Sequence, residues 1–262
     1  MNVGISTACF YPEEPLDIID KIGKLGFKDI EIFVNTETEY ERPYAEALKK
    51  KIEYYGINVV SVHPYTSILE GIYFFSDYAK RTDDAMKIYE RYFDYAQYMG
   101  AKFFTFHGER SFLASFSDDK INRDVKTYKR LCDLANSKGL FFAQENVVSF
   151  HSQNLQFLEN LYEKVPNLRF TLDIKQARRA KTDVFSYIDV MRDRICNVHA
   201  NDYSETDNCV MPGKGIFDYN KFMRELSRHG YEGNMLIEVY RTNYKSLEDL
   251  SNSKIFIENS LI

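Results

Sequence analysis

Eight short apolar runs alternate with helix-length amphipathic segments along this chain, and that regularity leaves few folds open. The runs read as strands over 2–7, 28–34, 57–62, 102–107, 140–145, 168–173, 195–199 and 234–239. Helical patterns fill 15–25, 42–55, 77–99, 119–138, 152–164, 183–193, 218–229 and 244–258. Gly26, Gly56, Gly100, Gly139 and Gly230 each follow a helical pattern. A residue without Cβ ends a helix there at little steric cost. Such alternation builds either a closed (β/α)₈ barrel or a doubly wound open sheet. No glycine-rich phosphate loop follows the first strand and no Pro- or Ser-rich linker divides the chain. The expectation is therefore an α/β fold, a single (β/α)₈ barrel forming one domain over 1–262.

With 44% hydrophobic residues the chain can bury a sizeable core, and its 20 Tyr and 20 Phe read as half-buried helix residues or as pocket and subunit contacts. Exposed aromatics on the outer helices would permit a homo-oligomer. A net charge of -5 argues against a nucleic-acid surface, which needs clustered Lys and Arg. Cys9, Cys132, Cys196 and Cys209 lack the close pairing of a zinc knuckle or disulfide framework. MNVGISTACFYP is no signal peptide, and no apolar run is long enough to span a bilayer. A cytoplasmic protein with no membrane partner is expected.

Four of the later runs end on side chains suited to chemistry. Glu145 follows GLFFAQ, Asp173 follows NLRFTL, His199 follows ICNV and Glu238 follows NMLI. In a closed parallel barrel the strand ends converge on one rim, so these four would meet in space. Three carboxylates and an imidazole suit a divalent cation such as Mn²⁺ or Mg²⁺. Packed like charges at one rim would repel without a cation among them. Two connections, 64–76 after the third strand and 200–217 after the seventh, are longer than a barrel requires and lie on the same side.

The ordered series VSVHP, MGAKFFTFHGE, AQENV, TLDIKQA, NVHANDY, PGKGIFDY and GYEGNMLIEVY resembles the xylose isomerase-like barrel superfamily, in particular its sugar and sugar-phosphate isomerase/epimerase branch. The resemblance covers essentially the whole chain. It implies that Glu145, Asp173, His199 and Glu238 hold one divalent metal: Mn²⁺ or Mg²⁺ first, Zn²⁺ or Co²⁺ next. It also implies that Glu145 and Glu238 are the catalytic acid–base pair, working on opposite faces of a carbon beside a carbonyl, by way of an enediolate. His63 and His107 are then expected to face the cavity and contact substrate oxygens, or to hold a second metal as in nuclease relatives, with a structural histidine as the competing reading. Glu31 is expected either to orient a ligand or to make a structural hydrogen bond, and Arg110 and Lys214 are candidate cations for an anionic substrate group. His151 and His229 fall in helical patterns and read as surface residues.

Two departures bear on the substrate. Several epimerases and the repair endonuclease relatives place a histidine where this chain has Gln176, which suggests a substrate hydrogen bond there. The nucleases carry an Asp-x-His after the seventh strand, where Asp207 and Cys209 stand here. The expectation is a metal-dependent enzyme that isomerises or epimerises a small sugar, sugar phosphate or related keto-polyol. A dehydratase of the same superfamily is the alternative; an endonuclease or a non-catalytic sugar-binding barrel fits less well.

Overall fold

Every expected strand forms, and the eight close into a parallel barrel in chain order. In the computed structural model, which describes residues 1–111 and 118–260, they are β1 (Asn2–Ser6), β2 (Asp29–Phe33), β3 (Asn58–His63), β4 (Phe103–Phe106), β5 (Phe141–Glu145), β6 (Arg169–Asp173), β7 (Ile195–Ala200) and β8 (Asn234–Ile237). Val3 lies beside Met235 and Ile5 beside Ile237, so β1 pairs with β8 and no sheet edge is left open. The helices are α1 (Pro15–Lys24), α2 (Arg42–Tyr55), α3 (Glu70–Phe74), α4 (Ala79–Met99), α5 (Asp118–Ser137), α6 (Leu155–Lys164), α7 (Ile174–Arg179), α8 (Val184–Met191), α9 (Tyr219–Arg228) and α10 (Leu247–Ser260). Gly56 and Gly100 end α2 and α4 with left-handed φ values of 59° and 87°. No described helix is long and apolar enough to cross a membrane.

The two-residue period of a strand separates an apolar layer from a polar one. Along β4, Phe104 packs outward against Phe93 of α4 with ring centroids 4.9 Å apart. Phe106 meets Phe142 of β5 at 4.8 Å. Thr105, between those two phenylalanines, faces the barrel axis and donates to Glu31 Oε2 at 3.2 Å. Tyr40, Tyr44, Tyr55, Tyr65, Tyr73, Tyr98, Tyr162 and Tyr203 are half-buried as expected, whereas Tyr89, Tyr92, Tyr128 and Tyr187 are fully buried core residues. A buried phenol needs a polar partner. Tyr187 accordingly donates to the Gln153 carbonyl at 2.7 Å, and Tyr89 to Glu70 at 3.0 Å.

Both long connections are folded. The first holds a short 3₁₀ turn (Tyr65–Ile68) and α3. The second is gathered around Asp202, whose carboxylate accepts backbone N–H bonds from Tyr203, Gly213, Gly215 and Phe217 at 2.8–3.1 Å. Helix α7 is an element the sequence pattern does not announce. Asp173 Oδ1 accepts from Gln176 N at 2.9 Å and caps it directly on the end of β6. Six residues are too few to show a helical period.

Candidate metal and proton-transfer site

Glu145 and Asp173 are the last residues of β5 and β6, His199 is the penultimate residue of β7, and Glu238 follows β8. Register brings them together: Asp173 sits beside His199, and Glu238 N donates to Ala200 O at 3.0 Å. His199 Nδ1 is the hub. It lies 2.6 Å from Glu238 Oε2, 3.6 Å from Glu145 Oε1 and 3.8 Å from Asp173 Oδ2. Glu145, Asp173 and His199 are buried, while the Glu238 side chain is 19% exposed.

The four residues fit a cation on a specific observation. Glu145 Oε2, Asp173 Oδ2, His199 Nδ1 and Glu238 Oε2 are all buried, and among the described residues none meets hydrogen-bond geometry; they approach one another, Lys175 and the His63 and His107 rings only as ion-pair contacts. Buried polar atoms left unpaired are costly, and carboxylates more so. Ligand atoms of Glu145, Asp173 and His199 lie within 4.8 Å of one another, close enough to share one ion, while Glu238 forms a second such group with His199 and Glu31, so His199 is the residue common to both. Carboxylate oxygens with one imidazole nitrogen suit Mn²⁺ or Mg²⁺ and admit Zn²⁺ or Co²⁺.

A polar layer beneath the rim aims the imidazole. Glu31 lies 3.1 Å from His199 Nε2 and also accepts from Ser61 Oγ at 2.7 Å, Thr105 Oγ1 at 3.2 Å and Ser6 Oγ at 3.3 Å. With its own oxygens so occupied, Glu31 serves as the outer partner of His199, leaving Nδ1 to face the carboxylates. Burial disfavours the imidazolium, but Glu238 and Glu31 outweigh it and raise the His199 pKa well above its ordinary value. The proton thereby drawn to Nδ1 occupies the position where a divalent cation would bind instead.

The two outer carboxylates have different neighbours. Beside Glu145 stand two imidazoles: His107 Nε2 is 2.9 Å from Glu145 Oε2, and His63 Nε2 is 3.5 Å away. The two Nε2 atoms are 2.8 Å apart, so one must donate and the other accept, and both rings cannot be charged together. Burial holds His107 below its ordinary pKa, whereas Glu145 and Glu31 lift His63 above it despite burial. Beside Glu238 stands an ammonium: Lys175 Nζ lies 2.9 Å from Glu238 Oε1 and 3.4 Å from Asp173 Oδ2. From the first long connection, Glu70 Oε2 accepts from His107 N at 2.9 Å and Gly108 N at 2.7 Å, fixing the end of β4.

The remaining sequence candidates lie at varied distances from this cluster. Gln176 uses its Oε1 to accept from Val148 N at 3.2 Å. It shares with His107, Arg110, Arg179 and Phe150 a cleft of about 330 Å³, of a size for a small substrate. Arg110 lies over the Phe150 ring at 5.2 Å. Lys214 is exposed on the second long connection, and no described contact joins it to the cluster. Asp207 is exposed in a turn with Ser204 and Thr206, and Cys209 is buried against Asn243. His151 corrects its surface expectation: it is buried in a 3₁₀ turn after β5, 3.4 Å from Glu109, because that segment folds under the rim instead of extending α6. His229 ends α9, partly exposed near Glu225.

Lys175 and Glu70 carry no separate signal in the sequence. Lys175 is one of 34 Lys and Arg residues, and only the start of a helix immediately after Asp173 turns it inward. Glu70 sits in the first long connection, which the sequence places on the site side of the barrel without marking this carboxylate.

Residues 19–258 match the xylose isomerase-like TIM barrel family, and the chain belongs to it. A search among curated proteins gave no significant sequence match. Solved structures share the fold at low identity. A D-tagatose 3-epimerase-like protein has TM-score 0.82 and 18% identity, covering 100% of this chain and 97% of its own. D-psicose 3-epimerase from Clostridium cellulolyticum H10 gives 0.83 and 16%, covering 100% and 99%. A probable 3-DHS dehydratase from Bacillus anthracis gives 0.78 and 17%, covering 99% of each chain.

Proposed function

We propose that the protein is a divalent-metal-dependent isomerase or epimerase of a small sugar, sugar phosphate or related keto-polyol, with 1–262 acting as one catalytic domain. The observation that carries this reading is the convergence on His199 Nδ1 of carboxylates from β5, β6 and the end of β8, each with a buried oxygen outside hydrogen-bond geometry. Glu145, Asp173, His199 and Glu238 would hold the cation. When bound, it would supply Lewis-acid polarisation of a carbonyl and its neighbouring hydroxyl. The neighbouring epimerase structures agree with this class of chemistry.

The residues divide the proton work. Glu145 and Glu238 approach the cage from strands five and eight and so can address opposite faces of a bound carbon. One carboxylate takes the proton from the carbon beside the carbonyl and becomes a carboxylic acid. The electron pair left behind forms the enediolate, and the other residue, in its acid form, returns a proton to that carbon. On the Glu145 side, His107 Nε2 stands 2.9 Å from Glu145 Oε2, close enough to take up that proton. His63, His107 and Gln176 line the approach and can donate to sugar hydroxyls, with Lys214 a more distant candidate for an anionic group. Nucleic acid is not the substrate in this reading, given the -5 charge, Gln176 and Cys209.

The test is proton exchange. The protein with Mn²⁺ is incubated in D₂O with a panel of ketoses and their phosphates, and deuterium at carbon is followed by NMR. Metal-dependent incorporation at a carbon beside the carbonyl is expected. Loss of water from a keto-polyol without epimer formation would favour the dehydratase chemistry of the neighbouring structure.

A further inference from the structure

The cage contains one more full charge that the acid–base scheme does not use, the ammonium of Lys175. Its side chain is 4% exposed. It reaches the rim because α7 begins at the residue after Asp173, so the second helical residue turns back over the end of β6. Lysine is almost never fully buried unless paired. Here the partners are two of the oxygen-bearing groups that a cation would use: Glu238 Oε1 at 2.9 Å and Asp173 Oδ2 at 3.4 Å. The ammonium also lies 5.2 Å from the centre of the Tyr240 ring, a further stabilising contact for a cation.

The contacts divide Glu238 between two tasks. Oε1 is engaged by Lys175, while Oε2 is turned toward His199 Nδ1 at 2.6 Å. Asp173 is divided likewise. Oδ1 caps α7 through Gln176 N, and Oδ2 lies near Lys175 without hydrogen-bond geometry.

We propose that Lys175 is a resident counter-ion of the metal cage: a positioning residue that holds Glu238 by Oε1 and competes with the divalent cation for Asp173 Oδ2, weakening metal binding. This rests on the four-residue metal cage of the reading above. Two consequences follow from electrostatics. An ammonium a few ångströms from the cation position repels the ion where bulk water does not screen it. The same ammonium leaves Asp173 and Glu238 with a counter-charge when no metal is bound, so the metal-free barrel keeps its rim intact. Lys175 thus exchanges metal affinity for metal-free stability.

The experiment compares Mn²⁺ binding to EDTA-stripped full-length wild type, Lys175→Met and Lys175→Arg by titration calorimetry, with thermal unfolding in parallel. Lys175→Met should bind Mn²⁺ at least roughly tenfold more tightly, from loss of one nearby positive charge. Its metal-free form should melt below wild type, and Mn²⁺ should raise its melting temperature by more. Lys175→Arg, which keeps the charge, should bind Mn²⁺ no more tightly than wild type. If Lys175→Met folds only with metal, it is prepared with Mn²⁺ and a chelator competition replaces the titration; harder extraction than from wild type is expected. Equal or weaker Mn²⁺ binding by Lys175→Met overturns the proposal, as does an equal gain in Lys175→Arg, which would make the effect one of packing. No saturable Mn²⁺ binding by wild type would overturn the metal cage as well. Failure to turn over any ketose would count against the enzymatic reading alone and leave the binding comparison intact.

Discussion

The two walls of the cage present the same functional group in opposite electrostatic settings. Glu145 faces a pair of imidazoles that can take up or release a proton, whereas Glu238 faces a buried ammonium that Asp173 and Glu238 keep charged although burial opposes it. A carboxylate beside imidazoles has a neighbouring base to which its proton can pass. A carboxylate beside a fixed ammonium is held in place and is the weaker base of the two. Under the proposed acid–base role the two glutamates would share the proton work unequally, with Glu145 beside an imidazole that can take up its proton and Glu238 anchored.

The largest expected effect removes both carboxylates as bases. Glu145→Gln and Glu238→Gln keep the shape and a neutral oxygen donor, so saturating Mn²⁺ should restore occupancy. Deuterium incorporation should still fall at least ~10²-fold in each variant. Near-normal exchange in a fully metallated double variant would remove the acid–base role from both walls.

Next comes the support beneath the hub. Glu31→Gln should weaken Mn²⁺ binding by about 10–100-fold, because His199 loses the carboxylate opposite its Nε2. Unchanged affinity would make Glu31 a structural hydrogen-bond partner only.

His107→Ala sharpens the comparison directly. It should slow exchange roughly tenfold, less than loss of the base itself, while leaving Mn²⁺ affinity near wild type. A matching fall in metal affinity would show that the imidazole wall belongs to the cage and is not a relay.

The smallest effect concerns the clamp on that wall. Glu70→Ala leaves the amides of His107 and Gly108 without their acceptor and should cost about 1–3 kcal/mol in urea unfolding. Burial pushes the Glu70 carboxyl from its ordinary 4.5 up to about 8. A carboxyl with a raised folded-state pKa binds more protons folded than unfolded. Its contribution is therefore full below about 4.5 and is lost as pH rises through about 8. Wild type should lose stability relative to Glu70→Gln between pH 5 and 8. Parallel stability curves for the two proteins would contradict that assignment.

The barrel and the four strand-end residues are legible in the sequence because each depends on a short pattern: an apolar run that stops on Glu, Asp or His. The tyrosines show where composition misleads. Tyr89 and Tyr187 read as interfacial residues, yet they are core because Glu70 and the Gln153 carbonyl reach their hydroxyls. A helical period places His151 on a surface, yet its 3₁₀ turn buries it. Lys175 is the plainest limit. Its role depends on one helix beginning a single residue after a strand, and that junction is set by an Asp173 cap which serves the site as well.

The central claim is that Glu145, Asp173, His199 and Glu238 form one cation site. A crystal of the protein grown with Mn²⁺ and measured at the manganese absorption edge tests it most directly. The expected result is one strong anomalous peak within about 2.0–2.6 Å of an oxygen of each carboxylate and of His199 Nδ1, with Lys175 still bound to Glu238 Oε1. A peak elsewhere on the barrel, or none at full Mn²⁺ loading, would contradict the account.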